Sequence, residues 1–189
     1  MRVQSDKVLP ADPIVTTRLR LQSLDADSAR LLLAGQFPQA SHRLQAELPP
    51  LWPQEDFHIV LRALVAPEED GGEVEAKWTR VLVHRPSGRV IGDLAFLPPD
   101  GAGVIELGYS LLPDWRRQGY MSEALAAALP WALAQVGVRV VLAECAVDNL
   151  ASAATLRRAG LRPLGAQVPG KLRWSLSRAA LVLSPSVPA

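Results

Sequence analysis

The hydrophobic positions change period along this chain, and the changes divide it into elements. "IVTTRLRLQSL" (14–24) alternates apolar and polar residues, which predicts a first strand. "DADSARLLLAG" switches to helical spacing, with Asp25 or Asp27 as the N-cap and Gly35 as the stop. A second helix is expected over about Ser41–Leu48 and another around Asp56–Val65, the latter inside a stretch (Pro49–Lys77) rich in loop signals such as "PPLWP" and "APEEDGGE".

From Thr79 onward the pattern is that of a sheet. "TRVLVHRPSGRVIGDLAFL" reads as two strands around a Pro-Ser-Gly turn, and "VIELGYSLL" as a third. "VRVVLAECAV" is a nearly continuous apolar run, expected of a strand covered on both faces. Between these last two, Ser122–Gln135 leads a stripe of Leu125, Ala128, Leu129, Ala132, Leu133 and Val136 at i, i+3, i+4 spacing, which predicts a helix facing a core. Pro130 removes one backbone bond from it and predicts a bend. Asn149–Ala159 follows as a short helix, with Arg157 and Arg158 in its last turn and Gly160 as its stop, and "LRPLG" and "LRWSLS" close the domain as strands. The order predicts an α+β fold with a mixed sheet: antiparallel strands, a strand-helix-strand crossover, a helix and a final pair. Residues 1–13 read as a flexible arm, 14–183 as one domain and 184–189 as a tail, with no internal repeat.

Composition narrows the classes. With 189 residues, 49% of them hydrophobic, the chain can bury one full core. A net charge of +1 supplies no concentrated basic surface, so neither nucleic acid nor an anionic membrane is expected as a partner. The single cysteine, Cys145, excludes an internal disulfide, suits a reducing compartment and reads as a small buried hydrophobe. The N-terminus lacks the apolar core of a secretory signal, and the longest apolar run, Ala124–Val138, is interrupted by Pro130 and Gln135 and falls short of the roughly 18 residues of a membrane span. A soluble, cytoplasmic protein is expected. His42, His58 and His84 lack ligand spacing, so no metal is expected. Trp52, Trp78, Trp115, Trp131 and Trp174 read as core or rim packing, with Trp52 and Trp78 the candidates for pocket walls.

The chemistry concentrates in two places. "DWRRQGYMSEAL" (114–125) puts Arg116, Arg117, Gln118 and Gly119 where a strand hands over to a helix. First-turn amides have no partners inside a helix and the dipole is positive there, so an anion is favoured, and a diphosphate fits better than one carboxylate. Gly119 lets the backbone approach closely. A solvated basic turn is the alternative. The Gly-Lys-Ser/Thr ending of a nucleotide-triphosphatase loop is missing. In "VIELGYSLL", alternation sets Ile105, Leu107, Tyr109 and Leu111 on one face and Glu106, Gly108 and Ser110 on the other. A carboxylate with such small neighbours has room for a substrate, or it faces solvent. Gly108 inside a strand predicts a bulge or a close backbone approach. Glu144, within "VVLAECAV", is the second carboxylate, with a hydrogen-bonded structural role as its alternative. Asn149, preceded by Asp148, reads as an N-cap.

"ELGYSLLPDWRRQGYMSEAL" followed by "DNLASAATLRRAGLRPLG" resembles the GCN5-related N-acetyltransferase (GNAT) superfamily, in its RimJ/RimL-like (ribosomal-protein N-terminal acetyltransferase-like) branch, of which the "TTRLRLQSL" opening is also typical. The likeness covers roughly Thr16–Gly165, loosely over Gln36–Lys77. It implies a GNAT fold: a mixed, mostly antiparallel central sheet flanked by helices, with a strand-helix-strand core that binds acetyl-CoA as co-substrate. The family loop reads Arg/Gln-x-x-Gly-x-Gly/Ala, and Arg116, Gly119 and Met121 occupy its fixed places, Met121 being a departure. By resemblance, amides from about Arg117 through Gln118, Tyr120 and Met121 to Ser122 bind the diphosphate, the backbone at Tyr109 and Leu111 pairs with the pantetheine arm, and Asn149 also holds that arm. Gly108 would aim an amide at the thioester oxygen.

Glu106 is then the base that strips a proton from the amine, since a free amine with a pKa of about 8 to 10.4 is mostly charged at neutral pH. Many relatives carry a tyrosine acid seven residues after the asparagine; here that place is Leu156, and Ser152 is the substitute contact to the sulfur. The resemblance implies transfer of acetyl to a primary amine, a protein N-terminus or a small molecule, and is compatible with a homodimer. Glu55, Asp56, Glu68, Glu69 and Asp70 favour a cationic acceptor or are simply solvated. A catalytically silent acetyl-CoA-binding module and a partner-binding domain without coenzyme are the rival classes.

Overall fold

The computed structural model describes residues 13–66, 76–99 and 101–183. The arm before Pro13, the tail from Ser184, and Glu68, Glu69 and Asp70 lie outside the described residues. Eight strands form one sheet in the order β1-β2-β3-β4-β5-β6-β8-β7. They are β1 (Ile14–Val15), β2 (Leu19–Ser23), β3 (Thr79–His84), β4 (Arg89–Phe96), β5 (Val104–Leu111), β6 (Val140–Ala146), β7 (Arg162–Val168) and β8 (Lys171–Ser177). Neighbours are antiparallel except β5 and β6, which run parallel and are joined by a helix, α4 (Tyr120–Ala134). A parallel pair needs such a crossover because its strands cannot be joined by a tight turn. The α+β, mostly antiparallel architecture expected from the sequence is the one found.

Alternation decides which helices cover which face. Leu82 of β3 points into a core shared with α4, Leu21, Ile91, Ile105 and Val141. Its neighbours Val81 and Val83 join a second core with Leu24, Leu32, Leu44 and Leu61, residues carried by or leading into α1 (Ala26–Leu33), α2 (Phe37–Leu44) and α3 (Phe57–Val65). The sheet is thus sandwiched, with α4 and α5 (Leu150–Arg158) on one side and α1–α3 on the other. Among the described residues no helix is long and apolar enough to cross a membrane.

Several expectations need correction. The opening strand is two: the Thr16 hydroxyl accepts from Leu19 N, the Thr16 amide donates to Leu19 O, and β1 folds back on β2 with Ile14 opposite Leu21. The second helix is Phe37–Leu44 instead of Ser41–Leu48, because Pro38 suits a first turn and Gln45 (φ 50°) ends it in a left-handed conformation. The crossover helix starts two residues earlier, at Tyr120, and runs without interruption across Pro130 to Ala134, so Val136 lies beyond it and is 98% exposed rather than part of the apolar stripe. Strand β6 is covered on one face only: Val141, Ala143 and Cys145 are buried, Val140, Leu142 and Glu144 half-buried. A last helix, α6 (Arg178–Leu183), was not legible in the pattern. Asp25 is the N-cap of α1, its carboxylate accepting from Ser28 N at 2.8 Å, and Gly160 (φ 89°) follows α5 as expected.

Candidate active site in the β5–β6 wedge

The parallel ladder between β5 and β6 ends at Leu107↔Ala143. Beyond it β5 stays paired with β4 as far as Leu111↔Gly92, and β6 stays paired with β8 as far as Ala146↔Lys171. The two strands therefore part, and the edge of β5 from Gly108 onward offers main-chain donors and acceptors to whatever enters the gap. A cavity of about 960 Å³ occupies it, walled by Tyr109–Leu111, the loop before α4, and the first turns of α5. The register shows no bulge at Gly108, and a Cβ there would meet nothing within 4 Å. The expected bulge is absent: Gly108 leaves the strand face open, while a neighbouring strand comes close at Gly92, whose added Cβ would lie 2.2 Å from the Ser110 carbonyl oxygen.

Part of the lining suits an anion. Pro113–Trp115 forms a short turn, Arg116 Nε donates to Leu111 O at 2.9 Å, and Gln118 Nε2 donates to Asp114 O at 2.7 Å. Arg117 (φ 60°) and Gly119 (φ 80°) both take the left-handed conformation that turns the chain into α4. For Gly119 this is free of strain; for Arg117 it costs roughly 1–2 kcal/mol, which the flanking bonds offset. The first intrahelical bond runs from Glu123 N to Gly119 O, so the amides of Gly119, Tyr120, Met121 and Ser122 precede any intrahelical acceptor. All four residues line the cavity, with Arg116 and Arg117 beside them. Met121 is accommodated because its position is an ordinary helical one and its side chain is buried in the core. A positive dipole, first-turn amides without intrahelical acceptors and two guanidinium groups together suit a diphosphate, so the residues present could hold that of coenzyme A.

The α5 wall carries the next features. Asn149 caps the helix, its side chain accepting from Ser152 N at 3.0 Å. Ser152 Oγ lies 2.8 Å from the Tyr109 hydroxyl, bridging α5 and β5 across the gap. Burial pushes the Tyr109 phenol up, against the lowering effect of that hydrogen bond. Leu156 is fully buried in the core, so a tyrosine acid has no counterpart at that place.

The lining also carries acidic residues: Glu55 and Asp56 follow Gln54 just before α3, and Ser110 lines the cavity as well. Behind Ser110, buried Asp93 accepts from Ser110 Oγ at 3.1 Å and from Trp52 Nε1 at 2.9 Å. Burial pushes the Asp93 carboxyl up to about 6, Asp56 adds to this, and the two hydrogen bonds oppose it. Sequence reasoning missed this network; its one signal was a charged residue inside the apolar run "RVIGDLAFL". Glu106 is half-buried one residue before the ladder ends, on the strand face that carries Gly108 and Ser110, and it stands outside the cavity lining. Glu144 pairs with Lys171 (3.2 Å) and Arg173 (3.3 Å), in keeping with a structural carboxylate. Trp52 and Trp78 are buried in the two cores and are not pocket walls, since each indole fills space between helices and sheet. Among the described residues no cluster of three or more His, Cys, Asp or Glu could hold a metal.

Comparison with known proteins agrees with this geometry. A family model described as an acetyltransferase (GNAT) domain matches residues 18–162. The chain is 32% identical over 151 residues to the uncharacterized N-acetyltransferase YjdG of Bacillus subtilis (strain 168), covering 77% of this chain and 86% of that one. Among solved structures it is similar to RimL, a ribosomal L7/L12 alpha-N-protein acetyltransferase in complex with coenzyme A, with a TM-score of 0.60 and 21% identity over 89% of this chain and 99% of that one. The microcin C7 self-immunity acetyltransferase MccE, in complex with acetyl-CoA and AMP, gives 0.58 and 15% over 92% and 99%.

Proposed function

Because the chain belongs to the GNAT acetyltransferase family, N-acetyltransferases that take acetyl from acetyl-CoA, we propose that it moves that group directly to a primary amine, a protein N-terminus or a small cationic amine. The observation that carries this reading is the mixed lining of the cavity, which combines the first turn of α4, Arg116 and Arg117 with Glu55 and Asp56. An anionic coenzyme and a cationic acceptor are each drawn to the groups that complement them. RimL, whose name gives a protein α-amine as its acceptor, supports an N-terminus as one such acceptor. Cys145, buried and without a disulfide, suits a cytoplasmic setting.

When bound, acetyl-CoA supplies an activated thioester; the protein's residues hold and steer it. In this reading the amides from Arg117 to Ser122 take the diphosphate, the β5 edge at Tyr109 and Leu111 pairs with the pantetheine arm, and Asn149 steadies it. Glu106 accepts the proton that the ammonium must lose before its nitrogen can attack. Ser152 and Tyr109 are hydrogen-bonded to each other through their hydroxyls, and whichever accepts in that pair keeps its own proton to donate toward the departing sulfur. The test is thiol release from acetyl-CoA against N-terminal peptides, polyamines, amino acids and aminoglycosides, with wild type and Glu106→Gln and with calorimetric acetyl-CoA binding as the control. Release with one class of amine, greatly reduced in the variant while binding persists, is expected. Binding without release for every amine would contradict it.

A further inference from the structure

The loop that ends in Gly119 is held from outside by one residue far away in the chain. Arg18, at the turn entering β2, donates through Nη1 to Gln118 O at 3.0 Å and through Nε to Glu123 Oε2 at 2.6 Å, and its guanidinium stacks over the Tyr120 ring at 4.3 Å. Glu123 also accepts from Arg18 N at 2.7 Å and from the Thr16 hydroxyl at 2.5 Å. The Thr16–Arg18 corner is fixed in turn by the β3–β4 hairpin: Arg85 N donates to Arg18 O at 2.9 Å, and Arg85 Nη1 to Thr16 O at 2.7 Å and to Thr17 O at 3.0 Å.

We infer that Arg18 is the positioning residue of the diphosphate loop, aiming its amides into the cavity and cancelling the charge of Glu123 beside them. This rests on the reading of that loop as the coenzyme site. Two physical points lead to it. In a planar trans peptide the C=O and the following N–H point in opposite directions. Pinning Gln118 O to Arg18 therefore turns the Gly119 amide away from Arg18, toward the cavity that Gly119 lines. Glu123 stands in the first turn of α4, where a carboxylate competes with a bound anion for the positive end of the helix and repels a diphosphate. Its carboxyl is buried enough to favour the neutral form, yet the Thr16 and Arg18 hydrogen bonds hold it below its usual range and hence ionised. The Arg18 guanidinium neutralises that charge at contact distance and leaves the dipole available to the ligand. Arg18 itself is absent from the cavity lining, so its action passes through Gln118, Tyr120 and Glu123.

The test measures acetyl-CoA binding by calorimetry for wild type, Arg18→Met, Arg18→Lys and Arg18→Met/Glu123→Gln, alongside steady-state kinetics. Arg18→Met is expected to weaken acetyl-CoA binding about tenfold or more, with a matching rise in the acetyl-CoA KM and with kcat and the acceptor KM near wild type. Arg18→Lys keeps the charge without the fork and should fall between the two; it decides the matter if Arg18→Met does not fold. The double variant should regain roughly threefold of the lost affinity by removing the uncancelled carboxylate. Wild-type affinity in both single variants, or a loss that falls equally on kcat and the acceptor KM, would overturn the inference. If the wild-type protein itself binds no acetyl-CoA, the coenzyme reading of the loop fails, and the inference with it.

Discussion

Around the loop before α4 the cavity is lined by Gly119–Ser122, whose amides precede any intrahelical acceptor, by Tyr109 and Leu111 of β5 beyond its ladder with β6, and by Arg116 and Arg117. Around Gln54–Asp56 it is lined by polar side chains, and Ser110 there is held by buried Asp93, which also binds Trp52. Main-chain groups depend on a backbone path, and Met121, where a smaller residue was expected, leaves that path an ordinary helical one. Side-chain groups depend on which residues the packing brings together.

That contrast can be broken or sharpened by experiment, beginning with the largest effect. Burial raises the Asp93 carboxyl from 3.8 to about 6, so the native state binds the extra proton between those values. The stability this gives is fully present below the unfolded value and is lost as pH rises through about 6, an interval equivalent to about 3 kcal/mol. Denaturant unfolding of wild type and Asp93→Asn from about pH 3 to about pH 7 should show the wild type losing about that much relative to the variant. Parallel curves would mean that the support behind Ser110 does not rest on a buried, protonated carboxyl.

Next, Glu106→Gln should lower kcat about 100-fold with acetyl-CoA affinity unchanged, as expected of an amine base. Equal loss of coenzyme binding would place Glu106 on the other side of the comparison. Gly119→Val forces a β-branched residue into a left-handed conformation (φ 80°), with its Cβ 3.4 Å from Arg18 Nη2. The strain of about 1–2 kcal/mol should weaken calorimetric acetyl-CoA binding roughly 5- to 30-fold and leave the acceptor KM alone. The smallest effect belongs to the acidic part of the lining: Glu55→Gln with Asp56→Asn should raise the KM of a cationic acceptor by about threefold, less so at high salt, since exposed charges are screened.

The same contrast explains what could be read beforehand. The turn into α4, the Asn149 cap and the crossover helix follow from neighbouring residues, because turn glycines, cap side chains and helical periodicity are local signals. The support behind Ser110 is assembled from contacts such as Trp52 with Asp93, 41 residues apart, and the turn into α4 is braced by Arg18 with Glu123, 105 residues apart. No local pattern encodes such pairs. The division of the opening strand at Thr16, the shifted start of α2 at Phe37 and the exposure of Val136 were hidden for a related reason: alternation and apolar spacing continue across points where one turn or one cap ends the element. Gly108 looked like a bulge because a strand glycine has several uses, and only the paired register shows which one applies.

The central claim is that acetyl-CoA lies along the β5 edge with its diphosphate on the first turn of α4. Amide hydrogen exchange with and without acetyl-CoA tests it most directly, since the amides of Gly119–Ser122 have no intrahelical acceptor to protect them in the free protein. Strong protection is expected there and at Tyr109 and Leu111, with Gln54–Asp56 unchanged until an amine is added. Protection confined to Gln54–Asp56, or none in the α4 first turn when acetyl-CoA saturates the protein, would contradict it.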